Sequence, residues 1–365
     1  MADRGQSPMA LALEIARNAL GTTAPNPMVG CVCVDNRSRE IVATGWHQRA
    51  GMPHAERNAL AILRERGIDP AGVTMYVTLE PCSTHGHTGA CTDAIVAAGI
   101  SKVVIGALDP NPLHRGRAIE ILRSRGIAVE QGELAQECAA LNPIFNHTIV
   151  HKTPLFAARC AITRQGAMFF EAGKTAKITG TATAAQVARE RQYFPAIATS
   201  TQTVLVDNPR LTIRRQGHPV SCHTRLVFDR SGRTLERLED LEIYNDRFAR
   251  ERTVFVTVTG TAARAEALLR SRGIALWALP EEPDAYWREL RERCWEAHLD
   301  GVYFECGPSF LKTLFEAGQA DYLYAYCAGG PPERSPVRYF SDSARATPVL
   351  ERRLGEDVEQ QFLIG

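Results

Sequence analysis

Val73-Thr74-Met75-Tyr76-Val77-Thr78-Leu79 runs directly into Glu80-Pro81-Cys82, and the first half of the chain can be read outward from here. Seven residues rich in β-branched, aromatic and apolar types predict a strand. Pro81 has no N–H to extend a ladder, so the strand stops and Cys82 falls at its C-terminal end. Downstream, Cys91 to Ala98 has helical spacing and ends at Gly99. Upstream, His54 to Arg66 places Ala55, Ala59, Ile62 and Leu63 on one side of a helix. Further strands are expected at Met28–Val34, Glu40–Thr44, Lys102–Ala107 and Ile127–Gln131. Helices are expected at Ala10–Leu20 and Gly116–Arg125, with Leu134–Thr148 as a linking helix. Strands alternating with helices argue an α/β sheet covered on both faces.

A second alternation begins near His151-Lys152-Thr153-Pro154. Its strand candidates are Leu155–Ile162, Thr203–Val206, Leu226–Asp229, Val254–Val258, Ile274–Leu279, Val302–Glu305 and Tyr322–Tyr326. Its helices fit Ala182–Gln192, Ala262–Arg272, Pro283–Ala297 and Phe310–Ala317. At 365 residues the chain is long enough for two domains, expected at 1–150 and 151–365.

Bulk composition narrows the partners. Lys plus Arg is 42 and Asp plus Glu is 41, so no global basic field exists to hold nucleic acid. No run is long and apolar enough to span a membrane, and Met1 to Pro8 lacks the apolar core of a secretory signal. The expected location is therefore the cytoplasm, with the ten cysteines reduced. Cys31, Cys33, Cys160, Cys306 and Cys327 lie in strand-like runs and read as small buried residues. Cys82 and Cys91 flank a polar loop, where packing is a poor explanation.

His54, Cys82 and Cys91 supply the three protein ligands of a catalytic zinc ion, which leaves one position for water. Zinc lowers the pKa of bound water, so a hydroxide nucleophile exists near neutral pH. Helix N-termini favour the thiolate that binds metal. Glu56, two residues after the histidine, can take the water's proton and return it to a departing amine. The ordered set His-x-Glu…Pro-Cys…Cys is that of zinc-dependent base deaminases. A zinc finger is the rival reading, but there is no second CxxC or HxxxH in register.

Around these residues the chain resembles the bifunctional deaminase/reductase family of riboflavin biosynthesis. The matching stretches are Ala24-Pro25-Asn26-Pro27-Met28-Val29-Gly30, Gly45-Trp46-His47, Pro53-His54-Ala55-Glu56, Tyr76 to Cys82, Asp109-Pro110-Asn111-Pro112 and Leu141-Asn142. The resemblance implies a cytidine-deaminase-like three-layer α/β/α domain followed by a dihydrofolate-reductase-like α/β domain. It implies deamination of 2,5-diamino-6-(5-phosphoribosylamino)pyrimidin-4(3H)-one at the ring carbon bearing the 2-amino group. Asn26 would hydrogen-bond the pyrimidine, Met28 and Val29 would line its pocket, and the backbone near Glu80 and Pro81 would bind the ring edge. A homo-oligomer formed through the second domain is implied as well.

The chain departs from the family in two places. The loop Cys82-Ser83-Thr84-His85-Gly86-His87-Thr88-Gly89-Ala90-Cys91 has Thr84 where the family has a histidine, His87 for a fixed cation, and Gly89-Ala90 for two prolines. His85 and His87 are candidate substrate contacts. In the second half, Thr199-Ser200-Thr201-Gln202-Thr203 replaces the Gly-x-Gly-Thr turn that approaches the nicotinamide cofactor, and Glu305-Cys306-Gly307 replaces Glu-Gly-Gly. Without those glycines, backbone approach to a pyrophosphate meets a Cβ. Thr179, Arg191, Asp207, Arg214 and Glu305 keep the family's substrate-side pattern. The expectation is a zinc deaminase whose NADPH-type second domain is weak or inactive. A fully bifunctional enzyme, a dedicated copy in a toxoflavin-like azapteridine pathway, a nucleic-acid deaminase and a non-catalytic scaffold stand as alternatives.

Overall fold

The computed structural model describes residues 6–84, 89–168, 178–214 and 217–365. It divides into two compact units, Met1–Lys152 and Thr153–Gly365.

The first unit is built on five strands: β1 (Gly30–Asp35), β2 (Ile41–Trp46), β3 (Val73–Leu79), β4 (Lys102–Ala107) and β5 (Ala128–Gln131). Their order across the sheet is β2-β1-β3-β4-β5. β1 pairs antiparallel with β2 and β3, while β3, β4 and β5 run parallel. The helices are α1 (Pro8–Ala16), α2 (Ala55–Glu65), α3 (Cys91–Ala98), α4 (Arg117–Ser124), α5 (Ala135–Ala140) and α6 (Pro143–His151). Cys31, Cys33, Met75, Val77, Val103 and Ile105 point to one sheet face, where α2, α3 and α4 bury Leu63, Ile95 and Leu122 against them.

The other face takes α1 and α5, because alternate strand residues point the opposite way. Gly30 of β1 lies so close to α1 that a Cβ would stand 1.9 Å from the Ala12 carbonyl oxygen. Gly106 of β4 meets the Cys138 sulfur of α5 at 2.3 Å in the same sense. The result is the three-layer α/β/α architecture expected. The linking helix, however, is two helices. Asn142 closes the first by bonding Met28 in both directions, accepting its N–H at 2.8 Å and donating to its carbonyl at 2.9 Å. Pro143 then starts the second, at a position that suits a residue with no N–H to give.

The second unit holds a nine-stranded sheet ordered β10-β9-β8-β7-β11-β6-β12-β14-β13. The strands are β6 (Leu155–Ile162), β7 (Ala196–Ser200), β8 (Thr224–Phe228), β9 (Thr253–Val258), β10 (Ala275–Leu279), β11 (Gly301–Phe304), β12 (Tyr322–Cys327), β13 (Ala346–Leu354) and β14 (Asp357–Ile364). All pairings are parallel except those of β14 with β12 and β13. The helices are α7 (Thr181–Glu190), α8 (Thr201–Asp207), α9 (Glu242–Asn245), α10 (Ala249–Arg252), α11 (Thr259–Leu269), α12 (Pro283–Glu296) and α13 (Pro308–Glu316).

Two expectations change here. Thr203–Val206 is not a strand but the body of α8, and the strand is the preceding Ala196–Ser200. Ser200 caps the helix, its hydroxyl accepting the Thr203 N–H, so a tertiary choice overrides β-branched local propensity. The terminal hairpin β13–β14 is an addition. Most of β13 is exposed on the sheet edge, and Glu351, Arg352 and Arg353 interrupt it with charge, so it lacks the apolar run that marks a buried strand. Among the described residues no helix is long and apolar enough to cross a membrane.

Candidate active site

His54, Cys82 and Cys91 converge. Their ligand atoms all lie within 4.8 Å of one another, and no other such group of three occurs among the described residues. His54 is the N-cap of α2 and Cys91 the first residue of α3. Cys82 follows β3 in a loop rather than opening a helix, but its sulfur accepts the Cys91 N–H at 3.3 Å and so sits at the N-terminus of α3. His54 Nδ1 is 3.3 Å from Cys91 Sγ and 3.5 Å from Cys82 Sγ. Two ligands of a tetrahedral zinc ion, at ordinary Zn–N and Zn–S lengths, stand about 3.6 Å apart. The donor set and its spacing therefore fit zinc.

The scaffold brings these atoms together through close backbone approach. Gly45 of β2 lies against the first turn of α2, where a Cβ would stand 2.3 Å from the Ala55 carbonyl oxygen. Any larger residue would push the turn bearing His54 and Glu56 away from the sheet. Arg57 of α2 reaches across to donate to the Ala90 carbonyl at 3.1 Å, which ties α2 to the start of α3.

Glu56 is 3% exposed, on the same turn as His54. Burial pushes its carboxyl above the usual range, and the Cys82 charge adds to this. A carboxyl poised higher than normal is suited to both accept and release a proton. Hydrogen bonding from the Cys91 thiol draws Cys82 down to about 4, helped by His54, and the same contact with burial pushes Cys91 up.

The remaining expected residues fall in different places. Asn26 lies beside the centre and contacts His47, its Nδ2 3.2 Å from His47 Nε2. Met28 is buried with its backbone clamped by Asn142, and the Val29 carbonyl accepts the His47 N–H at 3.0 Å. Pro81 is buried directly before Cys82. The Glu80 side chain serves the scaffold: it accepts the backbone N–H groups of Asp109 (3.1 Å), Gly116 (2.9 Å) and Ala118 (3.0 Å). His85 and His87 lie outside the described residues.

His47 is a residue to which the sequence reading gives no role; its only signal is membership of Gly45-Trp46-His47. It is 2% exposed, packs edge-on against His54 with ring centroids 5.2 Å apart, and has Nδ1 3.2 Å from the Pro53 carbonyl. Nδ1 must carry the proton to donate there, which leaves Nε2 to accept from the Asn26 amide. Burial and the neighbouring His54 lower its pKa, consistent with that neutral form.

In the second unit, Arg191 pairs with Glu305 through two nitrogens, Nη2 at 2.6 Å from Oε2. Glu305 is held below the usual carboxylate range by Arg191, against the opposing effect of burial. Arg191 and Arg214 line one cleft of about 590 Å³ with Asn208, Arg210 and Glu242. Thr179 lines another, with Gly329 and Asp357, and Asp207 is exposed at the end of α8. Four of the five expected substrate-side residues thus fall in an ion pair and two clefts, with Asp207 in none of these, rather than in one cluster. The backbone where the glycines are missing is unstrained. Ser200 has φ −102° and is extended, Gln202 is helical, and neither these nor Cys306 is among the residues with positive φ. No left-handed glycine is required for this turn to form.

The zinc-binding region of cytidine and deoxycytidylate deaminases matches residues 3–107, and the RibD C-terminal domain matches residues 159–330. The riboflavin biosynthesis protein RibD of Actinobacillus pleuropneumoniae is 38% identical over 98% of this chain and 94% of its own length. This chain belongs to the RibD family. The RibD of Aquifex aeolicus is 40% identical, with 96% of each chain covered. A solved structure from Thermotoga maritima, a diaminohydroxyphosphoribosylaminopyrimidine deaminase/5-amino-6-(5-phosphoribosylamino)uracil reductase, superimposes with a TM-score of 0.71 at 29% identity, covering 98% of both chains. The family pairs a cytidine-deaminase-like domain with a dihydrofolate-reductase-like one, and both are present here.

Proposed function

We propose that the first unit hydrolyses the 2-amino group of 2,5-diamino-6-(5-phosphoribosylamino)pyrimidin-4(3H)-one, and that the second reduces the ribosyl group of the resulting uracil ribotide with NADPH. The observation that carries the first step is the His54–Cys82–Cys91 cluster with Glu56 beside it. Zinc held there supplies a nucleophile from water near neutral pH. Glu56 takes the proton that water must lose and delivers it to the amine nitrogen, so that ammonia leaves and a carbonyl remains. His47 turns the Asn26 amide so that its oxygen and one N–H remain for the pyrimidine edge. Apolar Met28, immobilised by Asn142, forms the wall of the pocket.

The bifunctional reading is favoured over a silent second domain. Kinship runs the full length of the chain, and the backbone at Ser200–Gln202 and Cys306 accommodates its side chains without strain. Cys306 is buried in the core cluster that also holds Phe304 and Leu311, with its sulfur 3.7 Å from the Ala198 carbonyl. It therefore does not obstruct the surface a cofactor would approach. Assembly through the second unit and a cytoplasmic location complete the proposal. Incubation of zinc-loaded protein with the diaminopyrimidine ribotide, with and without NADPH, tests it. The expected products are the deaminated uracil ribotide without NADPH and its ribityl form with NADPH. Ammonia release without any NADPH oxidation would refute the second half, and light scattering reads the assembly.

A further inference from the structure

The reductase reading underlies this inference. Arg191, at the C-terminal end of α7, pairs with Glu305, the residue after β11. One residue earlier, Glu190 is 2% exposed and points into the sheet. Its Oε2 accepts the Tyr303 hydroxyl at 2.9 Å and the Tyr326 hydroxyl as well, and its Oε1 accepts Gln186 Nε2 at 2.9 Å. Tyr303 and Glu305 are two residues apart and so lie on the same side of β11. Consecutive residues of one helix end therefore grip two same-side groups of one strand. Tyr326 extends the grip to β12.

The surroundings are largely polar, apart from Phe194, whose ring packs on Tyr303 with centroids 4.9 Å apart. From β6, the Arg159 guanidinium lies 5.7 Å from the Tyr326 ring centre, and its buried Nε has no hydrogen-bond partner among the described residues. From β14, Glu359 faces the same layer, held by Arg352 of β13 at 2.7 Å and by Gln361. From β12, the Tyr322 hydroxyl donates to Gln361 at 2.6 Å, and Tyr324 packs edge-on against Tyr303. Packing alone does not call for a carboxyl here. An apolar residue would fill this layer without the cost of burying an ionisable group.

We propose that Glu190 is a positioning residue of the reductase half, which fixes the Arg191–Glu305 pair through its hydrogen bonds to Tyr303 and Tyr326. Burial and the neighbouring Glu359 push Glu190 up to about 8, against the pull of Tyr326, Gln186 and Tyr303. A carboxyl raised in this way holds its proton below that pH and ionises above it. All three contacts point at it as donors when it is ionised; when it is protonated, one of them must reverse, either a tyrosine hydroxyl or, by an amide flip, Gln186. The clamp on the pair therefore changes as pH rises through this value.

The test uses the full chain and treats its deaminase rate as an internal control. Glu190→Gln is expected to lower kcat for NADPH-dependent reduction about 10- to 100-fold, the scale of a misplaced active-site group, with little change in KM for NADPH. The inflection near pH 8 in the wild-type reductase profile disappears, and ammonia release is unchanged. Tyr326→Phe, which disturbs folding less, reproduces part of the loss. Wild-type kcat and an unchanged pH profile in Glu190→Gln would overturn the proposal. If the wild type oxidises no NADPH, the reductase reading fails separately. The tyrosine ultraviolet difference spectrum then reads the clamp: a midpoint near pH 8 that vanishes in Glu190→Gln retains it, and no such midpoint overturns it.

Discussion

Replacing Glu80 separates two roles that a residue in this position can have. The family resemblance places its backbone at the substrate's ring edge, and the structure has its carboxylate accepting three backbone N–H groups, from Asp109, Gly116 and Ala118. These contacts hold the loop from Asp109 to Gly116 and the start of α4. Glu80→Ala leaves three donors without a partner, one of them fully buried. An unsatisfied buried donor costs about 1–3 kcal/mol, so a loss of roughly 3–6 kcal/mol follows once partial exposure of two of them is allowed for. Glu80→Gln keeps an oxygen on one side and turns an NH₂ toward the other, losing about 1.5–3 kcal/mol as one charged hydrogen bond is broken. Urea denaturation of the zinc-loaded protein, followed by circular dichroism, measures both variants. Zinc content is expected to stay at the wild-type level, because Glu80 touches no ligand. If both variants were as stable as wild type while deamination collapsed, the carboxylate would belong to the substrate and the structural argument would be wrong.

Other perturbations give independent checks. Cys82→Ser and Cys91→Ser should each lose zinc together with ammonia release, as measured by metal analysis after dialysis, because three ligands leave none to spare. In metal-free protein, Glu56→Gln should raise Tm at neutral pH: burial raises the Glu56 pKa above its unfolded value, so ionisation opposes folding once pH exceeds that value. The gain should vanish on acidification below the unfolded pKa, and a pH-independent gain would contradict the cause. Asp246→Asn should cost about 3–5 kcal/mol in denaturant melts, since Arg225 is fully buried and loses a bidentate carboxylate. His47→Phe should raise KM for the pyrimidine with zinc retained, because the Asn26 amide loses the acceptor that orients it.

Much of the first unit is legible in the sequence because its signals are local. Val73–Leu79, Cys91–Ala98 and Lys102–Ala107 have the expected bounds, each punctuated by a proline or glycine or by a change of period. The metal cluster is legible for the same reason: its residues sit at the ends of such elements. What escapes is set by distant contacts. Nothing near Asn142 says that it will clasp Met28 across the unit, and nothing near Glu80 says that its partners begin at Asp109. Thr203–Val206 has strand-like residues but becomes helical because Ser200 caps it. The ordinary φ at Ser200 shows that the turn forms without left-handed backbone, so the missing glycines bear on the room left for a cofactor and not on the fold of the turn.

The most direct test of the central claim is ammonia release from the diaminopyrimidine ribotide by zinc-loaded protein, wild type against Glu56→Gln. Removing a positioned proton carrier costs about 10²- to 10⁴-fold in rate. The expected result is steady release by the wild type and a loss of that size in the variant, with equal zinc in both. No release by the zinc-loaded wild type, or equal rates in the two proteins, would contradict the account.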